Sequence, residues 1–215
     1  MGHIRLVPVL STVLLDPREL AQRAEGAAIR SLAERAQAGD AAAVREMYDR
    51  FAPPVMRFVR DMLRDPHSAA DAHQDTFIRV FQRIGSLEDP DRLVGWIFGI
   101  ARRVCLEHKR KLLRGKVLEP ADRGVEVADL GAGPEAELSG AESAAALDRA
   151  IDALSPDRQA ILLLRCDHLL PYEEIATAMG FSVAKVKVEV HRARLALRKV
   201  LDGPPERVDD DGGVA

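Results

Sequence analysis

The sequence predicts an all-α protein built as two small helical domains, a bundle and a helix–turn–helix, joined by an acidic flexible linker. Three observations predict it. Apolar residues recur at helical spacing over residues 28–114 and 147–201. Caps, prolines and glycines fall where those runs begin and end. Between them, residues 115–146 hold Gly115, Gly124, Gly131, Gly133, Gly140, Pro120 and Pro134, with two bases against seven acids from Lys116 to Ala146. Such a stretch buries no core and reads as a tether, which lets the domains either clamp together or separate.

The elements follow in order. Residues 1–27 form a leader of no clear period, either a tail or a segment ahead of the true start. Asp40 caps a helix over Ala41–Phe51. Pro53 and Pro54 then predict a break or kink, with a second helix from there to about Arg64. Asp65-Pro66 opens the next helix as cap and first residue. That helix gathers Ala70, Phe77, Val80, Phe81 and Ile84 near one face. Gly85–Asp91 is a loop. The helix from about Arg92 to Arg114 is apolar all round in its first half, which predicts burial, and basic in its second. Beyond the linker, Ser155-Pro156 opens a helix leading into Ala160–Leu164, Tyr172–Met179 is a short helix, and Ser182 caps a final helix ending near Leu201. Residues 202–215 carry five acids and one arginine and read as a disordered acidic tail.

Composition narrows the function. The 215 residues are 47% hydrophobic, 30% charged and 4% aromatic, an ordinary globular balance. Net charge is −3, so only the distribution of charge speaks to nucleic acid. Two cysteines, Cys105 and Cys166, are too few for a disulfide framework and fit a reducing compartment, the cytoplasm. No apolar run reaches the roughly 18–20 residues of a membrane helix. Pro8 interrupts the apolar stretch Ile4–Leu15, which has one base and no small-residue cleavage site, so it does not read as a signal peptide. That stretch has two readings, a disordered tail or a segment that docks on a groove of this protein or of an inhibitor. Cys105 and His108 share a helical face, but no converging ligand set accompanies them. They read as a buried thiol and a surface imidazole, with no metal and no cofactor. No nucleophile elbow or phosphate loop points to catalysis, so an enzyme is the least supported class.

Three features carry chemistry. The first is the helix–turn–helix over Tyr172–Leu201. Ala176 lets two helices approach, and Gly180 four residues later supplies the turn. Val183, Val186, Val190 and Leu197 stripe one side of the second helix, and Lys185, Lys187, His191, Arg192, Arg194, Arg198 and Lys199 cover the rest. From Ser182 to Leu201 six bases meet one acid, Glu189, a cationic face suited to a major groove and its phosphates. The second is the run Arg102–Lys116, seven bases to one acid. Trp96 beside it reads as core. The third is the acidic and amide face Asp71, Gln74 and Asp75, which suits a basic partner surface. The bland alternative for each is a solvated helix face.

Together these residues resemble the extracytoplasmic-function (ECF) group of sigma-70 family RNA polymerase sigma factors. Residues 47–53 (MYDRFAP), 68–81 (SAADAHQDTFIRVF) and 96–103 (WIFGIARR) are similar to the family's first domain, region 2. Residues 147–158 (LDRAIDALSPDR) and 172–198 (YEEIATAMGFSVAKVKVEVHRARLALR) are similar to its second, region 4. The resemblance covers 28–114 and 147–201 and leaves out the leader, linker and tail. It implies an alternative sigma factor that binds core RNA polymerase and directs promoter recognition, DNA melting and transcription initiation. Asp71, Gln74, Asp75 and Phe77 would dock on the polymerase. Asp89, Arg92, Arg102, Arg103, Lys109 and Arg110 would serve the −10 element, where unstacking a base is offset by a pocket and phosphate contacts. Ser182, Lys185, Lys187, Val188, His191, Arg192 and Arg194 would read the −35 element. An anti-sigma factor is a further partner that the resemblance leaves room for; membrane insertion is not expected.

The sequence departs from the family's pattern in places. Arg103 stands where an Asn is common, and His73 where an aliphatic residue is usual. Ala184-Lys185 replaces Gly-Thr, and Val188-Glu189 replaces Ser-Arg. Glu189 would repel phosphate or accept a hydrogen bond from cytosine N4, and Val188 would touch a thymine methyl. Two other classes stay open: a stand-alone helix–turn–helix regulator, and a decoy that binds polymerase without promoter activity.

Overall fold

A computed structural model describes residues 17–118 and 149–201. The stretch Ile4–Leu15, linker residues 119–146 and the tail 202–215 lie outside the described residues. Four helices make the N-terminal bundle: α1 (Pro17–Gln37), α2 (Ala41–Leu63), α3 (Pro66–Arg83) and α4 (Leu93–Leu118). Two single 3-10 turns, Ile84–Ser86 and Pro90–Arg92, link α3 to α4. In the C-terminal half, residues 149–152 are helical. Then come α5 (Pro156–Leu162), a π-helical turn (Leu163–Asp167), α6 (Tyr172–Met179) and α7 (Val183–Leu201). No strand occurs among the described residues.

Local chemistry sets the ends. The Asp40 carboxylate accepts from Ala42 N–H at 2.8 Å and closes the first turn of α2. The Arg35 guanidinium beside it holds that carboxyl below its ordinary range. Asp65 does the same for α3, accepting from Ser68 N–H at 2.7 Å ahead of Pro66. Gln37 at the end of α1 donates to the carbonyls of Ile84 and Leu87, at 3.2 and 2.7 Å, and so pins the α3–α4 connection.

Of the break or kink expected at Pro53-Pro54, the structure removes the break: α2 runs through both prolines. Phe51, Val55, Phe58 and Val59 on either side are buried. Their packing outweighs the two backbone hydrogen bonds that the prolines remove, a cost of about 3 kcal/mol for an unsupported helix. A second difference concerns α1, which begins at Pro17, inside the segment assigned to the leader. Its register hides Leu32, Ala33 and Ala36 against α2.

The bundle core joins Met47, Phe58 and Met62 of α2, Ala72, Phe77 and Val80 of α3, and Leu93, Ile97, Ala101 and Val104 of α4. Ile161, Leu164, Ile175, Met179, Val186 and Val190 form the core of the C-terminal half, continuous with that of the bundle. Gly180, at φ 66, turns α6 into α7, and its N–H bonds the carbonyl of Thr177. That left-handed turn is the one a helix–turn–helix needs.

The two halves are clamped. α4 lies along α6, and glycines set how closely. A Cβ on Gly95 would stand 2.3 Å from the Glu174 carbonyl oxygen, and one on Gly99 would stand 3.1 Å from that of Ala178. Phe58 of α2 and Phe98 of α4 hold the His168 ring between them, with centroids 6.0 and 5.0 Å away.

Candidate nucleic-acid and polymerase interface

The α7 surface is built from the turn upward. Gly180 aims the helix, Ser182 Oγ accepts from Lys185 N–H at 3.3 Å, and Val186, Val190 and Ala193 anchor one side in the core. The opposite side leaves Ser182, Lys185, Lys187, Val188, His191, Arg192 and Arg194 exposed on one continuous face. Aromatic rings steady its lysines: Lys185 Nζ sits 3.4 Å from the Phe181 centroid and Lys187 Nζ 5.5 Å from that of Tyr172. The structure puts on this side all seven residues expected to read the −35 element.

Glu189 is already engaged within the chain. Its side chain is only 15% exposed, and both oxygens are engaged. One accepts from Arg158 Nε on α5 at 2.8 Å and the other from Arg192 Nη1 at 2.9 Å. These partners, Arg158 first, hold its carboxyl below the usual range. The acid is spent within the protein, tying α7 to α5 and fixing the reach of Arg192.

The residues expected at the −10 element sit differently. Asp89 stays exposed and closes the turn before α4, accepting from Asp91 N–H at 3.0 Å. Arg103 and Arg110 are exposed, and Arg103 Nε donates to the Gly99 carbonyl at 3.1 Å. Arg102 and Lys109 instead face the C-terminal half, and Arg92 stands between the two halves, 3.8 Å from an Asp89 oxygen. Arg92 lies 3.9 Å from a Glu174 oxygen, Arg102 pairs with Asp157, and Lys109 Nζ donates to Gln159 Oε1 at 2.8 Å. Burial pulls the Lys109 ammonium below its ordinary pKa. The second Glu174 oxygen accepts from the N–H of Gly95 in the first turn of α4, a donor with no partner in its own helix. Burial nonetheless pushes the Glu174 carboxyl up.

On α3, Asp71 and Gln74 are exposed. Asp75 meets His108 Nε2 of α4 at 3.1 Å, next to the two-fold pairing of Arg79 with Glu107 at 2.8 and 2.6 Å. His108 is therefore not a surface imidazole: its side chain is 13% exposed, held by Asp75. Phe77 is buried. It packs at 4.8 Å from the half-exposed Tyr48 ring and 5.1 Å from His73, whose Nε2 lies 3.0 Å from the Ala52 carbonyl oxygen.

Sequence reasoning missed Gly95, Asp157, Gln159, His168 and Glu174, which join the halves. Two glycines four apart on an otherwise apolar helix were the available signal. Glu174 carried none, because its partner is a backbone N–H far away in sequence.

Known proteins fit this arrangement. Residues 47–115 match the profile of Sigma-70 region 2, and residues 144–197 match that of Sigma-70, region 4. The sequence is 30% identical over 185 residues to the ECF RNA polymerase sigma factor BldN of Streptomyces coelicolor, covering 86% of this chain and 70% of that protein. It is 27% identical over 168 residues to the ECF RNA polymerase sigma factor SigX of Bacillus subtilis, covering 77% and 87%. Its fold resembles that of CnrH in complex with the cytosolic domain of CnrY, with a TM-score of 0.59 at 20% identity over 81% of this chain and 97% of that one. It also resembles RpoE in complex with the anti-sigma factor NepR from Bartonella quintana, with a TM-score of 0.55 at 24% identity over 74% and 96%. The chain belongs to the extracytoplasmic-function group of sigma-70 family RNA polymerase sigma factors, and regions 2 and 4 of that family account for its two halves.

Proposed function

We propose that this alternative sigma factor divides promoter recognition between its halves at the level of residues. The exposed face of α7, with Lys185, Lys187, Val188, His191, Arg192 and Arg194, reads the −35 element in the major groove. Arg92, Arg102, Arg103, Lys109 and Arg110, with the turn at Asp89, bind and help open the −10 element. Asp71, Gln74 and Asp75 over the Phe77 cluster dock on core polymerase. The protein acts as an initiation factor, without catalysis of its own, in the bacterial cytoplasm where polymerase and chromosome are. RpoE is held by an anti-sigma factor in its solved complex, and the same kind of partner suits this chain.

The observation that carries this reading is the cationic face of α7. It is presented outward on a left-handed Gly180 turn, within the segment that matches region 4. The test is transcription reconstituted from core polymerase, the purified chain and genomic DNA fragments, with transcript 5′ ends sequenced. Starts that share −10 and −35 motifs and depend on the chain support the reading. Polymerase binding without such starts rejects it.

A further inference from the structure

An apolar groove lies apart from the cationic face of α7. Gly26 and Ile29 of α1, Val94 of α4, and Leu169, Leu170 and Pro171 ahead of α6 line it. Its volume is about 660 Å³, within the roughly 300–1,000 Å³ of sites that hold ligands. Leu169 stands out: it is 74% exposed, and its φ of 54 is left-handed. Glycine or asparagine makes such a turn freely, whereas leucine makes it under strain. Strained backbone gathers where a segment holds a ligand, and here it presents a leucine to the groove. Charge at the rim is one-sided, with Glu25, Asp91 and Glu174 against Arg165. Glu25 pairs with Arg50 and Asp91 with Arg30, yet both acids stay more than half exposed, at 61% and 52%. Each carboxylate has lone pairs left for a further cation.

The apolar stretch Ile4–Leu15 matches this seat in chemistry and in reach. Its only charge is Arg5, and the first acid of the chain is Asp16. The groove residues of α1 lie about 12–18 Å along that helix from Pro17. Twelve residues span up to about 40 Å when extended, ample to turn back and cover that distance. We propose that the groove seats this chain's own Ile4–Leu15 stretch, which doubles back along α1. Its apolar side chains lie against Ile29, Val94 and Leu169, and Arg5 meets the acids of the rim. The stretch thereby straps α1 to the loop ahead of α6 and takes Leu169 out of water, the gain that offsets the strained turn. Among the described residues, none from α7 lines the groove, so the strap leaves the proposed −35 surface free.

Photo-crosslinking of the full chain tests this. Leu10 is replaced by the photoreactive amino acid benzoylphenylalanine, the protein is irradiated, and crosslinked peptides are mapped by mass spectrometry. The expected result is crosslinks within one chain, concentrated on Ile29, Val94 and the loop of Leu169, Leu170 and Pro171. Two variants then remove the seat while keeping the fold, which circular dichroism checks. Leu169→Asn deletes the apolar contact with a residue that suits a left-handed turn. Gly26→Leu fills the groove instead: a Cβ there meets no atom within 4 Å, and leucine favours a helix over glycine. Each variant should lower the yield of groove crosslinks by about fivefold, as loss of a single buried contact would. Crosslinks scattered over the surface overturn the proposal, and so do groove crosslinks that both well-folded variants leave unchanged. Crosslinks that join two chains overturn it as well, because the occupant is then a second copy.

Discussion

Glu189 and Arg192 form a 2.9 Å ion pair on α7, and the other oxygen of the same carboxylate holds Arg158 of α5 at 2.8 Å. The lone acid of the cationic helix α7 thus serves as a brace for the arginine beside it. On net charge alone, removing Glu189 should tighten DNA binding. The geometry requires the opposite: Glu189→Ala frees both arginines and weakens binding to a duplex by roughly fivefold, about 1 kcal/mol. Fluorescence anisotropy decides the sign. Glu189→Gln, which keeps the acceptor oxygen, should fall between the two.

Arg192 itself stands 57% exposed at the end of that brace. If it reaches a phosphate, Arg192→Ala should lower the slope of log affinity against log salt by about one. A titration across salt concentrations of the duplex complex measures this. An unchanged slope would remove Arg192 from the phosphate contacts.

The acidic face of α3, proposed above to dock on polymerase, contains one acid that is already engaged. Asp75 meets His108 at 3.1 Å, whereas Asp71 and Gln74 point outward without such a partner on α4. Asp75→Lys should weaken binding to core polymerase by about tenfold, a loss typical of a misplaced interface charge. His108→Ala, which only frees Asp75, should leave binding nearly intact. Competition against a labelled sigma factor for core polymerase compares the two. Equal losses would mean that the Asp75–His108 pair supports the fold rather than the docking.

Gly180 carries φ 66, and no atom lies within 4 Å of where its Cβ would stand. Gly180→Ala therefore costs backbone strain alone, about 1–2 kcal/mol. The chain should lose several degrees of Tm while its cavities stay unchanged, a shift that calorimetry resolves.

The seam between the halves also responds to pH, through two groups of opposite sign. Burial holds His168 below its ordinary 6.5, with Asp167 and Arg57 as its charged neighbours and Asp61 beside Asp167. Opening lets the ring take up a proton, so closure is undiminished above pH 6.5 and weakens as pH falls through the window below it. Glu174, raised above 4.5 by burial, releases a proton on opening, so acid favours closure in its own window. In Glu174→Gln, which keeps an acceptor for the Gly95 N–H, His168 governs the window just below pH 6.5, while the Asp61 carboxyl, raised by burial, acts with the opposite sign in its own, more acid window. Energy transfer between a dye on the exposed Cys166 and one on a cysteine replacing exposed Ser31 should then fall between about pH 7.5 and about pH 5.5. Adding His168→Gln should abolish the fall.

Much of this was legible in the chain. Capping by Asp40 and Asp65, the loop near Asp89 and the Gly180 turn are written in local residue chemistry, and the structure has all of them. The cationic face of α7 was legible because one helix supplies every residue in it. Failures came where tertiary packing decides. Pro53-Pro54 reads as a break until Phe51 and Val55 are seen to be buried around it. Glu189 reads as a misfit until Arg158, distant in sequence, is placed beside it. The closed seam was not legible at all, since Glu174 and Gly95 are 79 residues apart and one partner is a backbone N–H.

The close approach at Gly95 also has a genetic meaning. Any missense change in a glycine codon adds a Cβ, and here the first obstacle is a main-chain oxygen 2.3 Å away rather than a side chain able to turn aside. Any such change therefore pushes α4 away from α6, and only glycine itself restores the close approach. Second-site revertants that rebuild the fit on the α6 side should be scarce, because no side-chain exchange there withdraws a backbone carbonyl.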